Sequence, residues 1–388
     1  MTRHIHIQGH SVVCSLGIGP QQVAEALFAP AVPALQTATL CDGRAVRVAA
    51  VDLPVSDLRR ENGAAETRNN RLADLALLNL PAAARDLLQS TDPARVGVVI
   101  GTSTSGIDAG GGALRSRLSD GGWPADFDLS VQELGDPALF LAQRIGATGP
   151  AYSVSTACTS GAKAIIAGAR MVRTGMCDVV LCGGVDTLCD MTLNGFGVLE
   201  ALSNDRCNPF SANRDGIHIG EGAGLFVLSA DPAAVRIAGW GESSDAYHIS
   251  APDPDGAGAR LAMQGALHHA GLTADAIDYL NLHGTATVQN DRMEAAAVNA
   301  VLGAAVPCSS TKALTGHTLG AAGAVEAALT LMALTTGKAP ANRNDGAVDP
   351  DLAPLGLLSA DAPVAGRAVM TCNYAFGGNN TALVLALS

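Results

Sequence analysis

Apolar, β-branched runs alternate along the chain with stretches in which apolar positions recur every three or four residues. Val96-Gly-Val-Val-Ile100, Val179-Val-Leu-Cys182 and Leu225-Phe-Val-Leu228 read as buried strands. Tyr279-Leu-Asn-Leu282, Val369-Met-Thr371 and Ala382-Leu-Val-Leu385 read the same way. Ala162, Ile165, Ile166, Ala169 and Val172 keep helical spacing, and Gly175 is placed to end that helix. Leu319 to Leu334 is a second and more apolar helix. Strands interleaved with helices predict α/β layering. The Gly-rich and polar segments Gly106 to Gly135 and Asp42 to Asn70 are read as loops with short elements.

A faint internal echo runs through this pattern. Tyr152-Ser-Val-Ser leads through small residues at Cys158 into a helix, and Pro307-Cys-Ser-Ser-Thr leads through Lys312 and His317 into another. Each is followed by a strand and a Gly-Gly pair, Gly183-Gly184 and Gly377-Gly378. The echo predicts two similar halves, residues 1–230 and 231–388.

Composition narrows the function. With 388 residues, 48% of them hydrophobic, the chain has enough material for a large core. A formal net charge of −12 argues against broad nucleic-acid binding, which needs a basic footprint. The nine cysteines show no C-x-x-C pair, so zinc and dithiol readings are weak, and the pattern fits buried thiols in a reducing compartment. The N-terminal residues lack the plan of a signal peptide. The most apolar helix carries Glu326, which argues against a membrane span. The expectation is a soluble, cytoplasmic protein.

Cys158 lies where the strand-like run of Tyr152 to Val154 gives way to the helix ending at Gly175. A helix start offers free N–H groups and the positive end of the dipole. This predicts a thiol pKa below the free value of about 8.5, and donors for an oxyanion formed on a thioester. A buried structural cysteine in a tight turn is the plainer reading of Cys158 alone. Further along, Leu280-Asn-Leu-His283-Gly-Thr-Ala-Thr287 ends a strand in a histidine. Ser309-Ser-Thr-Lys312-Ala-Leu-Thr-Gly-His317 puts a lysine and a histidine before a helix. Strand ends of layered α/β proteins gather at one crevice, where neutral imidazoles can donate to a carbonyl that becomes an enolate. The Gly-rich pieces match neither a P-loop nor a dinucleotide fingerprint, so nucleotide binding is rejected.

Taken in order, TACTSGA at Cys158, RDGIHIGEGAG from Arg214, HGTAT at His283, STKALTGHTLGAAGAVEA at Lys312 and His317, and AFGGNN at Phe376 resemble the β-ketoacyl-acyl-carrier-protein synthases. The resemblance spans nearly the whole chain. It implies a thiolase-like αβαβα fold of two halves, a tight dimer, and decarboxylative Claisen condensation. Cys158 is then the acyl-bearing nucleophile. His283 and His317 hold the malonyl thioester, and Lys312 tunes their electrostatics. The backbone N–H groups of Cys158 and Phe376 form the oxyanion hole, and Phe376 is the gate. Thr285 and Thr287 contact the pantetheine arm, and Asp291, Glu294, Glu326, Gly377 and Gly378 support the site. No cofactor is implied, because acyl groups arrive on the phosphopantetheine arm of an acyl carrier protein. The partners implied are that carrier and a second subunit, as a homodimer or as a heterodimer with a related synthase-like chain.

The chain departs from the housekeeping pattern. Tyr374 replaces Phe, Ala375 replaces Gly, Asn379 replaces Thr, and Leu202 to Phe210 is shorter. VDTLCDMTLNGFGVLEALS is closer to synthases of secondary pathways such as aryl polyene or polyketide-type assembly. Two other functions compete with elongation. One is a non-catalytic chain-length-factor-like partner, which would lack the active cysteine. The other is a thiol acyltransferase or hydrolase, which would need no malonyl-carrier. Arg68, Arg71 and Arg206 are the expected docking patch for an acidic carrier.

Overall fold

The computed structural model describes residues 4–54, 56, 58–60 and 63–388. Its main sheet is built from β1 (Ile5–Cys14), β2 (Val96–Gly101), β3 (Ala151–Val154), β4 (Val179–Asp186), β5 (Gly222–Ser229), β6 (Val235–Ser244), β7 (Tyr279–Asn281), β8 (Pro307–Ser309), β9 (Gly356–Leu357), β10 (Ala368–Tyr374) and β11 (Asn379–Leu387). The spatial order is β9-β8-β7-β10-β11-β6-β1-β5-β4-β2-β3. All six predicted strands are present.

The strand order repeats. β2 lies parallel between β3 and β4, β4 is antiparallel to β5, and β5 is antiparallel to β1. β7 lies parallel between β8 and β10, β10 is antiparallel to β11, and β11 is antiparallel to β6. The two sets meet where β1 pairs antiparallel with β6 through Ile5 and Ile237. The parallel strands are buried on both faces, which is why they read as unbroken apolar runs.

Five layers result. Helices Arg68–Leu78, Ala82–Ser90 and Asp136–Ile145 cover the outer face of the first set of strands. Helices Ala257–Ala270 and Val288–Leu302 cover the second. Between the sets lie Ser160–Thr174 and Ala322–Thr336, which pack on each other and on strands of both. The fold is thiolase-like αβαβα, as the resemblance implies. By length and composition alone Leu319–Thr336 could cross a membrane, but 89% of that window is buried inside the protein. An apolar helix in the middle layer faces protein on every side, so it needs no polar face.

The two segments read as loops hold more structure than expected. Ile107–Asp120 is a 14-residue helix, despite Gly110, Gly111 and Gly112 within it. Ala45–Ala49 is a strand, and Arg68 already begins a helix.

Candidate active site

Residues 157 and 158 form a sharp turn. Ala157 sits at φ 51°, an unusual backbone angle for a residue with a Cβ. The helix starts at Ser160, with Thr159 as N-cap. A Cβ on Gly161 would meet the backbone N of Ala324 at 2.8 Å. Only glycine lets the two central helices approach this closely, and their approach brings Cys158 to His317. Cys158 Sγ lies 3.0 Å from His317 Nε2. The backbone N–H groups of Phe376 and Cys158 are directed at the same sulfur.

The expectation of a lowered thiol pKa is corrected. Burial pushes the Cys158 thiol up to about 11, outweighing the pull of Lys312 and of the two N–H groups. Cys158 is buried, so the thiolate loses more hydration than these partners return. The resting group is a thiol.

Both histidines are buried and neutral. Burial, and then the charge of Lys312, holds each well below the ordinary imidazole value. Lys312 Nζ lies 3.1 Å from His283 Nδ1 and donates to the His283 carbonyl at 2.5 Å. It also pairs with the buried Glu326, whose other oxygen accepts from Asn373 Nδ2 at 2.5 Å. Asn373 Nδ2 stands 3.5 Å from the same His283 Nδ1. With donors facing Nδ1, the imidazole proton resides on Nε2.

Glu294 holds the backbone beneath His283. Its two oxygens accept from the N–H groups of His283 and Gly284, each at 2.7 Å. Burial raises its pKa to about 8 despite these donors. A Cβ on Gly284, at φ 40°, would sit 2.4 Å from Ser310 Cβ, so glycine is required beside the histidine. Asp291 accepts from Phe210 N at 2.7 Å and Ala286 N at 3.2 Å, and burial raises it to about 6. Phe210 and Ala286 both have positive φ, so Asp291 ties together two strained turns.

Cys158, His283 and His317 open into one cavity of about 360 Å³, which Thr285, Thr287 and Phe376 also line. The Thr285 and Thr287 hydroxyls are 3.0 Å apart. Phe376 packs against Phe196 with ring centroids 5.7 Å apart. Gly377 and Gly378 follow at φ 83° and 78°. Sulfur and imidazole donors from Cys158, His283 and His317 lie within 4.8 Å of one another, a spacing that could hold a soft cation. The ammonium of Lys312 and the proton it fixes on His283 Nε2 oppose that use.

The arginines expected to dock the carrier also make contacts within the chain. Arg68 is committed to the buried Glu221 and to the Val51 carbonyl at 2.8 Å. Arg206 donates to the Ala313 and Pro33 carbonyls, each at 2.5 Å. Arg71 donates to the Pro54 carbonyl at 3.0 Å. Arg68 and Arg206 brace the fold through these contacts while remaining partly exposed. Asn373 and Phe196 were given no role in the sequence reading, and the positive φ of Ala157 was not foreseen. Asn373 had one signal, its place just before the Gly-Gly turn at a strand end.

Comparisons with known proteins agree with this geometry. Residues 70–234 match the β-ketoacyl synthase N-terminal domain, and residues 234–345 match its C-terminal domain. The tetracenomycin polyketide synthase ketoacyl synthase alpha subunit of Streptomyces glaucescens is 37% identical over 328 residues, covering 76% of each chain. Nodulation protein E of Rhizobium meliloti (strain 1021) is 36% identical over 302 residues, covering 74% of this chain and 75% of that one. A chain from the complex of the ketosynthase ApeO with its chain length factor ApeC, from Xenorhabdus doucetiae, superposes with a TM-score of 0.94 at 40% identity. It covers 100% of this chain and 98% of that one. The chain belongs to the β-ketoacyl synthase family of acyltransferase-type condensing enzymes.

Proposed function

We propose that this chain is the catalytic subunit of a carrier-dependent synthase, with Cys158 bearing the acyl chain and His283 and His317 activating malonyl-carrier. One observation carries the reading. A thiol, two neutral imidazoles and two converging backbone N–H groups meet in a single cavity. A silent chain-length-factor-like subunit has no use for this set, and a simple thioester hydrolase has no use for the second histidine.

In the first half-reaction the Cys158 sulfur attacks the carrier thioester as its proton passes to His317 Nε2. The N–H groups of Cys158 and Phe376 stabilise the tetrahedral oxyanion. Collapse breaks the bond to the arm sulfur, and His317 returns the proton to that leaving thiol. Malonyl-carrier then enters. His283 Nε2–H donates to its thioester oxygen, and His317 joins it after moving to its Nε2–H tautomer, which the absence of a partner at its Nδ1 among the described residues leaves open. The bond to the carboxylate breaks, CO₂ leaves, and the electron pair becomes the enolate. The enolate carbon attacks the Cys158 thioester, and the intermediate expels the sulfur as a thiolate, which takes a proton from solvent to return to the resting thiol. The product is a 3-oxoacyl carrier two carbons longer. Thr285 and Thr287 steady the pantetheine arm, Phe376 gates the acyl side, and Gly377 and Gly378 allow its turn. Lys312 fixes the His283 tautomer, and Asp291, Glu294 and Glu326 hold the frame. No cofactor beyond the carrier's own arm enters this scheme.

The reading assigns residues 1–230 and 231–388 to the two thiolase-like halves, supported by the repeated strand order. It places the chain in a cytoplasmic secondary pathway of the aryl polyene or polyketide type. The likeness to the ketosynthase–chain length factor complex favours a heterodimer with a related subunit. The test is reconstitution with acyl-carrier and malonyl-carrier, with and without a candidate partner subunit. Elongation that requires Cys158 supports the reading. CO₂ release or hydrolysis without elongation in every combination contradicts it.

A further inference from the structure

The helix Ser160–Thr174 carries a cation in its first turn. Lys163 stands there, where the positive end of the helix dipole disfavours an ammonium. Its neighbours Ala162, Ala164, Ile165 and Ile166 are buried and apolar. Lys163 itself is half-buried, and that burial lowers its pKa, with Glu242 opposing the fall and Arg170 adding to it. A charge kept in such a place needs a partner. The partner is the turn that carries Phe376. Lys163 Nζ donates to Asn379 Oδ1 at 2.7 Å. The Asn379 carbonyl accepts from Ala375 N at 2.8 Å, and the Ala375 carbonyl accepts from Gly378 N at 2.9 Å. These bonds close the turn around Phe376.

Gly377 and Gly378 give this turn backbone freedom, so its tethers decide where the Phe376 N–H points. On one side, Gly377 N donates to the Ile249 carbonyl and Asp245 N donates to the Gly378 carbonyl, each at 2.8 Å. On the other side, among the described residues, Lys163 makes the one side-chain hydrogen bond from the nucleophile's helix to the turn. A charged donor makes that bond roughly twice as strong as a neutral one. We propose that Lys163 is a positioning residue for acyl transfer: its bond to Asn379 locks the turn to the nucleophile's helix and keeps the Phe376 N–H on Cys158. The inference rests on the proposed condensing function. Lys163 does not line the cavity, so it acts through Asn379. The two half-reactions separate its effect. The Phe376 N–H serves the oxyanion formed on the Cys158 thioester, whereas malonyl decarboxylation draws on His283 and His317.

The test follows both half-reactions with the full chain, in the subunit composition that supports elongation. Acylation of Cys158 by acyl-carrier is read by intact mass, and CO₂ release from malonyl-carrier is read without an acyl donor. Lys163→Met keeps an unbranched side chain and removes the donor. It is expected to lower the maximal acylation rate about tenfold, less than the loss of about 10²–10³ when an oxyanion donor is removed outright. The carrier concentration that half-saturates acylation and the rate of CO₂ release stay unchanged. Asn379→Leu gives the same loss, and the double variant loses no more, because both changes break one contact. Asn379→Asp retains the acceptor oxygen and keeps acylation. A loss shared equally by both half-reactions, losses that add in the double variant, or wild-type acylation in Lys163→Met overturns the proposal. A wild-type chain that neither takes up acyl groups nor releases CO₂ contradicts the condensing function instead.

Discussion

Lys312 Nζ stands 3.1 Å from His283 Nδ1, and this contact settles which proton the histidine can offer. The ammonium and the Asn373 amide both face Nδ1, so Nε2–H is left to meet a substrate oxygen. Replacing Lys312 with Met frees the ring to change tautomer. Malonyl-carrier decarboxylation then falls about 10²-fold, the usual loss when one oxyanion donor is removed. Acylation of Cys158, followed by intact mass, falls less. Equal losses in both steps count against the tautomer argument.

The Cys158 thiol, raised to about 11, makes an alkylation prediction. Below its pKa the thiolate fraction grows about tenfold per pH unit. Iodoacetamide labelling therefore keeps climbing from pH 7 to 9, whereas a lowered pKa would give a plateau near neutrality. Phe376→Ala opens the gate against Phe196 and speeds labelling several-fold at every pH. A plateau by pH 7.5 contradicts the dominance of burial.

Four buried imidazoles link stability to pH. His10 is held at about 4, His218 at about 3, and His283 and His317 well below 6.5. Below pH 6.5 the unfolded chain takes up protons that the folded imidazoles refuse, so their contribution to stability falls as pH falls, while Asp291 at about 6 and Glu294 at about 8 bind protons more tightly when folded and oppose it. At pH 5 each fully resisting imidazole costs about 2 kcal/mol relative to pH 7. Urea unfolding at the two pH values, compared between the parent chain and His218→Gln, isolates one imidazole: the variant's stability change from pH 7 to pH 5 is expected to shift by about 2 kcal/mol in favour of the acid side. An unchanged difference in that variant removes His218 from the account.

Gly284→Ala tests the turn beneath His283. The new Cβ meets Ser310 Cβ at 2.4 Å with φ at 40°. Left-handed strain and overpacking together cost about 2–5 kcal/mol. A drop of several degrees in Tm is expected, with loss of decarboxylation even in the folded fraction. A variant with wild-type Tm shows that the turn relaxes more freely than its packing indicates.

The buried strands were legible because strands covered on both faces must be apolar throughout, whether parallel like β2 or antiparallel like β5 and β11. β1 (Ile5–Cys14) was not, because His6, Gln8 and His10 interrupt its apolar run and a bulge between Ile7 and Gly9 breaks its register. The helix Ile107–Asp120 was hidden by three glycines and a largely exposed surface. Cys158, His283, Lys312 and His317 stood out because each sits at a strand or helix end in a distinctive motif. Asn373 did not, since its partner Glu326 lies 47 residues away on another layer. The pairing of Arg68 was hidden for the same reason. A charge beside a polar stretch looks exposed until Glu221, 153 residues from Arg68, is folded against it.

The central claim is that Cys158 holds an acyl chain which malonyl-carrier then extends. The most direct measurement is intact-mass analysis of the protein after acyl-carrier is added, and again after malonyl-carrier. The account predicts an acyl adduct that is absent in Cys158→Ala, then its discharge with CO₂ as a 3-oxoacyl carrier two carbons longer. An adduct that forms without Cys158, or one that leaves only as the free acid, contradicts it.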